Sequence, residues 1–183
     1  MVRKYVGMHM NAISSSQTTS YQEYVEGTLI PGIRKMQSTQ GLEFLSFGMI
    51  GISIEALGSF FDPDPLEQEG LSKKRFHKAV DELFKPLRKE YDNKAVCLFR
   101  GLRCGMAHIG RPQGKIAFTT RSEAQADGNK HLNKDHQGML VLVAEDLAND
   151  FVAAWSALKT QCADGKTKKR VADPWLTLYH YEN

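Results

Sequence analysis

Apolar residues recur at helical spacing along most of the chain. The first such series is Tyr21, Val25, Leu29, Ile33 and Met36. Ser20 and Glu23 stand at the spacing of a capping box, which predicts a helix that starts at Ser20 and is kinked at Pro31. Residues 41–61 are apolar on nearly every side, which predicts a second helix in the middle of the structure.

The apolar segment 42–61 also has the length of a membrane span, which needs about 20 residues. However, Glu55 lies well inside it, Glu43 lies near its start, and no basic cluster flanks it. A charged side chain is costly in lipid, so we predict a buried helix of a soluble core and no contact with a membrane.

Two more helices are predicted before residue 112. Ser72 is the candidate N-cap of a helix with apolar positions at Phe76, Val80, Leu83 and Leu87. The outer face of this helix carries four cations, Lys73, Lys74, Arg75 and Lys78. Asp92 is the candidate N-cap of a fourth helix, which runs to about Ala107 with an apolar stripe of Ala95, Phe99, Leu102 and Met106.

The pattern changes from helical spacing to alternation after residue 112. Residues 116–120 and 139–143 predict the two strands of a β-hairpin at about 115–143, joined by an exposed polar loop over 122–137. A fifth helix is predicted over about 145–160, with Leu147, Phe151, Trp155 and Leu158 on one face. Residues 166–170 predict a solvated basic linker, and residues 175–181 predict an aromatic tail that packs on the body or on a partner.

The length and composition predict one globular domain, and the helical spacing described above predicts that its class is mainly α. The chain has 183 residues, 42% hydrophobic and 25% charged, which excludes disordered and fibrous classes. Its net charge of +3 does not by itself indicate a nucleic-acid partner. We predict a flexible lead-in at 1–19, the helical domain at 20–161, and the basic linker and aromatic tail at 162–183.

The three cysteines, Cys97, Cys104 and Cys162, are too few and odd in number for a disulfide scaffold. Cys97 and Cys104 lie about 10 Å apart along the predicted helix, beyond disulfide reach. The N-terminal residues have no apolar run of signal-peptide length. These observations predict free thiols and a cytoplasmic location.

The fourth predicted helix carries the residues with the clearest chemical potential, in the run LFRGLRCGMAHIGRP at 98–112. One side of an ideal helix would present Cys97, Gly101, Cys104, Gly105 and His108. Small residues let another backbone approach closely, so a second helix from this chain or from a symmetry mate is expected there. An internal contact is an equally good interpretation of the same spacing.

Arg103 and His108 are the candidate functional pair. On an ideal helix they lie about 140° apart, so joint action requires unwinding near Gly105 or two copies meeting about a two-fold axis. Arginine holds a phosphate bidentately, and histidine transfers protons near neutral pH. This pair therefore indicates a phosphate site.

The segment Arg103-Cys-Gly-Met-Ala-His108 resembles the R-x4-H motif of HEPN domains, the higher eukaryotes and prokaryotes nucleotide-binding fold. The run RCGMAHIGRP is similar to the RNGLAH segments of many bacterial members, and the resemblance covers about residues 20–112. It implies a bundle of four to five helices, with the β-hairpin added, that dimerises through the helix carrying Gly101 and Gly105. This chain has Cys104 where active members usually have a polar residue after the arginine.

The resemblance also implies an activity, that of a metal-independent endoribonuclease of the toxin or antiviral type. In such an enzyme an RNA 2′-OH attacks the adjacent phosphate and leaves a 2′,3′-cyclic phosphate and a 5′-OH end. His108 would move the proton, and Arg103, with Arg100, would stabilise the charge on the phosphate oxygens. No cofactor or metal is then expected, and RNA and an antitoxin protein are the candidate partners.

Glu55 and Cys104 complete the predicted site as supporting residues. Glu55 is a candidate buried partner for Arg100 or Arg103, because an unpaired buried carboxylate is costly; a Glu55 that reaches the surface is the alternative. The second candidate function is a non-catalytic dimeric interaction or nucleotide-binding module of the same fold. In that module the arginines and His108 would be cations placed favourably at a helix C-terminus.

The remaining motifs are weak. His131, Asp135 and His136 stand in a polar stretch with no second cluster of ligands, which favours loop residues over a metal site. No P-loop sequence is present.

Overall fold

Helices dominate the part of the chain that the structure, a computed structural model, describes: residues 13–65 and 68–181. The prediction of a mainly helical fold is confirmed. The described residues contain six helices, a separate 3-10 turn at Lys89–Tyr91 and four short strands, joined by loops. Residues 1–12 of the predicted lead-in lie outside the described residues.

The first four helices form the larger part of the domain. α1 consists of Tyr21–Tyr24 and Ile30–Gln37 with the π-helical turn Val25–Leu29 between them, and α2 is Leu45–Gly58, extended by the 3-10 turn Ser59–Phe61. α3 is Ser72–Ala79 and continues as the π-helical turn Val80–Phe84. α4 consists of Ala95–Leu98, the π-helical segment Phe99–Cys104, and Gly105–Ile109.

The start of α1 is as predicted. The Glu23 amide donates to Ser20 Oγ at 3.1 Å, and the Ser20 amide donates to Glu23 Oε2 at 2.7 Å, which completes the capping box. The π-helical turn precedes Pro31, which has no amide hydrogen to donate, and the Ile30 amide donates to the Val25 carbonyl. The other predicted caps, Ser72 and Asp92, are not used, because those helices start after Leu71 and Lys94 without a side-chain cap.

The predicted β-hairpin is wrong. β2, Ile116–Thr119, and β3, Leu140–Val143, pair in parallel, with Ile116 opposite Leu140. A parallel pair needs a crossover, and the chain between the strands contains the short helix α5, Arg121–Ala126, where an exposed loop was predicted. Thr120 and Glu123 form a capping box at its start, and this spacing was readable in the sequence.

A second small sheet joins the two ends of the described chain. β1, Ile13–Ser20, pairs antiparallel with β4, Pro174–Tyr181, and Thr18 lies opposite Thr177. The prediction of little structure before residue 20 is therefore wrong for residues 13–19. The polar β1 sequence is extended because of a partner more than a hundred residues away, which local patterns do not reveal.

The last helix, α6, is Ala144–Ala163 and packs with α1 and α3 around α2. The most deeply buried side chains of α2 are Phe47, Ile50, Ile54 and Leu57. Each fully buried side chain of this size contributes about 1.5–3 kcal/mol of transfer free energy. The central position predicted for the second helix is confirmed.

Arg75 is buried, although its place in a basic run predicted an outer face. Its side chain is 2% exposed and pairs with Asp62, with Nε to Oδ2 at 2.8 Å and Nη2 to Oδ1 at 3.2 Å. Nη2 also donates to the Pro65 carbonyl at 2.6 Å. Asp62 ends α2, so this ion pair ties the chain after α2 to α3, and only the tertiary structure reveals it.

Asp150 of α6 accepts hydrogen bonds from three side chains. Arg88 Nε donates to Oδ1 at 2.7 Å, Tyr91 Oη donates to Oδ2 at 2.8 Å, and His131 Nε2 lies 3.4 Å from Oδ2. Burial alone would raise the pKa of Asp150, but these hydrogen bonds outweigh burial and hold the pKa below its ordinary value. The network ties the chain between α3 and α6 to the core.

Gly58→Ala tests the closest contact in the core. A Cβ atom at Gly58 would overlap the backbone carbonyl of Arg75, so we expect a loss of at least about 1–3 kcal/mol in the free energy of unfolding. Gly32→Ala in α1 is the control, because a Cβ there meets no atom within 4 Å and should raise stability by about 0.5–1 kcal/mol. Urea unfolding measures both, and an unchanged Gly58→Ala protein would contradict the packing.

Asp150→Asn should lower the free energy of unfolding by about 3–5 kcal/mol near neutral pH, because it removes one partner of a buried charged network. The pKa of Asp150 is depressed in the folded protein, so the stabilisation is present above the unfolded pKa and is lost as the pH falls through the folded pKa. The difference between wild type and variant should therefore shrink in acid. A difference independent of pH would contradict this, and Asp127→Asn, in an exposed turn, is the matched control.

Candidate active site

The motif helix α4 widens where the motif begins. Over Phe99–Cys104 it is π-helical, and the Gly105 amide donates to the Arg100 carbonyl five residues earlier. α4 then returns to α-helix and ends at Gly110, which has a left-handed backbone with φ of 66°. π-helical turns inside α-helices are rare and are frequent at functional sites.

The side chains of Arg103 and His108 meet within one chain. Arg103 Nη1 lies 3.4 Å from His108 Nε2, whereas an ideal helix would place the two side chains about 140° apart. The π-helical segment ends at Cys104, and Gly105–Ile109 is regular α-helix, so the unwinding near Gly105 that joint action was expected to require is not seen. The contact between the two side chains is nevertheless made within one chain, without a second copy.

Glu55 of α2 holds Arg103 from the other side. Its Oε2 accepts from Arg103 Nε at 2.6 Å, and the two side chains are 19% and 18% exposed. Of the two interpretations of Glu55, the one as a partner of Arg103 is confirmed. The Phe99 ring centroid lies 6.0 Å from Arg103 Cζ, at the limit of a cation–π contact.

Arg103 and His108 are within hydrogen-bond distance at an exposed position. A guanidinium group only donates, so a hydrogen bond at this contact uses His108 Nε2 as the acceptor. A neutral imidazole with an unprotonated Nε2 is the form that can take a proton from a substrate.

A cavity of about 290 Å³ lies next to the ion pair. Glu55 and Arg103 form its charged end, and the rest of its lining is Tyr21, Tyr24, Leu29, Met49, Ile52, Ser53 and Ala56. A cavity with an apolar wall and a few convergent polar groups is the usual form of a small-ligand site. The apolar series of α1 marks Tyr21 as a core position and does not include Tyr24, so the sequence pattern does not single out either tyrosine as a lining residue.

The face carrying Gly101 and Gly105 is occupied by the chain itself. A Cβ at Gly101 would lie 2.6 Å from the Gln113 carbonyl, and a Cβ at Gly105 would lie 2.5 Å from the Arg111 carbonyl. The Gln113 amide donates to the Gly101 carbonyl at 3.0 Å. The internal contact is thus the correct interpretation of these glycines, and the expectation that a second helix packs on them is wrong.

The other residues predicted from the sequence do not contact the Arg103–His108 pair through an ion pair or hydrogen bond with described groups. Arg100 is exposed and forms no ion pair with a described carboxylate, and Cys104 is half-buried beside Arg103. His131 is not a loop residue of the predicted kind: it belongs to the buried Asp150 network, where its Nδ1 accepts from the Val143 amide at 3.0 Å. Within the described residues, no group of three or more potential ligands could hold a metal ion.

Comparisons with protein-family models, with curated proteins and with solved structures found no match to this chain. The HEPN resemblance therefore depends on the motif residues and on the helices around them. In the described residues, no helix has both the length and the apolar character needed to cross a membrane.

A double-mutant cycle measures what the Glu55–Arg103 pair contributes to folding. Glu55→Gln keeps the side-chain shape, Arg103→Gln shortens the side chain, and both substitutions and the double variant remove the charges. Because both side chains are mostly buried and the distance is short, we expect a coupling free energy of about 1–2 kcal/mol in urea unfolding. A coupling near zero would contradict the pairing, and the exposed pair Lys78–Glu82 on α3 is a control for a weak interaction.

Proposed function

We propose that this protein is a HEPN-like, metal-independent endoribonuclease of the toxin or antiviral type. One observation carries the proposal: a guanidinium held by a carboxylate at 2.6 Å stands 3.4 Å from the Nε2 atom of an exposed histidine. A cation for phosphate oxygens and a base for a hydroxyl are what 2′-OH attack on a phosphodiester requires. The resemblance of the motif to HEPN domains implies the same reaction and supports the proposal separately.

Glu55 gives Arg103 a defined orientation. It occupies Nε, so the Nη groups remain for phosphate oxygens, which a guanidinium binds bidentately. When a phosphate draws the Nη groups away, His108 Nε2 loses its hydrogen bond and can accept the proton of the 2′-OH. The 2′-oxygen then attacks phosphorus, the bond to the 5′-oxygen breaks, and the cyclic phosphate forms.

The leaving 5′-oxygen needs a proton, which solvent or the His108 of a second copy could supply. Dimerisation remains part of the proposal, but through a different face of α4 from the one that carries the glycines. Ile52 of α2 is 47% exposed and lines the cavity beside Arg103, and Ile109 of α4 is 49% exposed next to His108. Two large apolar side chains that are exposed to water near the same site favour the binding of a second protein chain there.

A non-catalytic dimeric interaction or nucleotide-binding module is the alternative, and one observation favours it. The carboxylate of Glu55 neutralises Arg103 and joins α2 to α4, which is also what a purely structural ion pair would do. In that case the apolar cavity would hold a nucleotide or a partner side chain, and His108 would have no proton to move.

Cleavage of defined RNA by purified protein, in EDTA, decides between the two functions. We expect wild type to leave 2′,3′-cyclic phosphate ends, and Arg103→Ala and His108→Ala to lower the rate by about 10²-fold or more. Arg34→Ala and His136→Ala are matched controls, because both residues are exposed and lie outside the site. Their rates should equal that of wild type.

Thermal unfolding of each variant accompanies the assay. If all the proteins fold equally well and wild type cleaves no RNA, the nuclease proposal fails and the binding module is favoured. Cleavage that persists in His108→Ala would remove the histidine from the mechanism.

A further inference from the structure

A basic cleft lies between the C-terminal end of α6 and residues 165–172. Its volume is about 570 Å³. Four cations line it, Lys159, Lys168, Lys169 and Arg170, and no acidic residue is among its described lining residues. The polar side chains of Gln22 and Thr167 also border it. A concave surface of one sign focuses the electrostatic potential and attracts an anion.

The basic loop is anchored, which corrects the prediction of a solvated linker at 166–170. Lys169 Nζ donates to the Ser59 carbonyl at 2.8 Å and to the Asp64 carbonyl at 2.6 Å, at the end of α2. The Lys168 amide donates to the Phe60 carbonyl at 3.1 Å. Lys169 is thus used to hold the loop, and the residues on either side of it are held in place.

Lys168 and Arg170 are the two lining cations without a carboxylate partner in the described part of the chain. Lys159, in contrast, pairs with Glu26 at 2.6 Å, and Lys169 lies 3.7 Å from Asp62. Two cations on an ordered loop, unpaired with described groups, can bind an external anion without first breaking an internal ion pair.

The basic surface continues past this cleft. Lys168 also lines a second cavity of about 400 Å³, whose lining includes Lys74 and Lys78 of α3. Two carboxylates line it as well, Asp62, which pairs with Arg75, and Asp81. Lys74 forms no ion pair with a described residue, whereas Lys78 pairs with Glu82. Lys168 is common to both linings, so Arg170, Lys168 and Lys74 form a track of cations that extends over two cavities.

We propose that this track binds the sugar–phosphate backbone of single-stranded RNA. This inference rests on the proposed function, for which it supplies the surface that holds the substrate outside the cleavage site. Gln22 lines the basic cleft and Tyr21, the preceding residue, lines the cavity beside Arg103. The basic cleft and the cavity beside Arg103 are thus lined by consecutive residues of α1.

The shape and chemistry of the track favour a polynucleotide over other anions. Because Lys168 lines two cavities, cations are available at several successive positions, which suits a ligand with several phosphates in a row rather than one free phosphate. A membrane surface would also require apolar side chains that insert beside the cations. The large exposed apolar side chains of the described residues, such as Leu45, Ile52 and Val96, do not line the cleft.

The test is the binding of a fluorescent 2′-O-methyl oligonucleotide of about 12 nucleotides, a length within the site sizes of single-strand binders. Lacking the 2′-OH nucleophile, this probe binds without being cleaved. Each phosphate contact to a single strand contributes about −0.7 to the slope of log K against log salt. Lys168→Gln/Arg170→Gln should therefore weaken binding about 25-fold at about 0.1 M salt and reduce the slope by about 1.4.

Arg34→Gln/Lys35→Gln is the matched control. It removes the same two kinds of charge from exposed positions of α1, near Gln37, whose side chain contacts the first residue of α6 at the end opposite the cleft. This control should bind within about twofold of wild type, because it leaves the phosphate contacts of the track in place. Thermal unfolding confirms that both double variants fold.

The remaining results separate this inference from the nuclease proposal. Loss of binding in Lys168→Gln/Arg170→Gln supports the track even if wild type cleaves no RNA, in which case only the nuclease proposal fails. Equal binding by that variant and wild type overturns the track even if wild type cleaves RNA. Displacement of the probe by inorganic phosphate at equal phosphate concentration, or binding of phosphatidylserine vesicles in place of the oligonucleotide, also overturns it.

Discussion

The close approach of two helices to α2 is the constraint on which the rest of the structure depends. A Cβ at Gly58 would overlap the Arg75 carbonyl of α3, and a Cβ at Gly51 would lie 3.3 Å from the Arg103 Cα of α4. Larger residues would push both helices outward. The short distance between α2 and α4 is also what lets Glu55 reach Arg103, so packing in the core determines the geometry of the candidate site.

The candidate site adds a local distortion to this packing. The π-helical segment of α4 leads into Arg103, and Gly101 within the segment and Gly105 directly after it make room for the returning chain at Arg111 and Gln113. A widened helix is less stable than a regular one, so it persists where neighbouring contacts support it. Here the support comes from α2 on one side and from the chain after α4 on the other.

Charge is used in two ways in this fold. Arg75, Arg103 and Lys169 are engaged by acceptors inside the protein and join separate segments. Lys168 and Arg170 have no such acceptor among the described residues and line the cleft. Their neighbours in sequence are equally basic, so composition could not distinguish the cations that hold the fold from those that face solvent.

The sequence alone determined the helical class, the capping box of α1, the central burial of α2 and the motif residues on α4, because these depend on residues within a few turns of one another. The tertiary structure decided the parallel pairing of β2 and β3, the strand at residues 13–20, the burial of Arg75 and the union of Arg103 with Glu55 and His108. Most of these features depend on contacts between residues far apart in the chain. Local periodicity carries no information about such contacts.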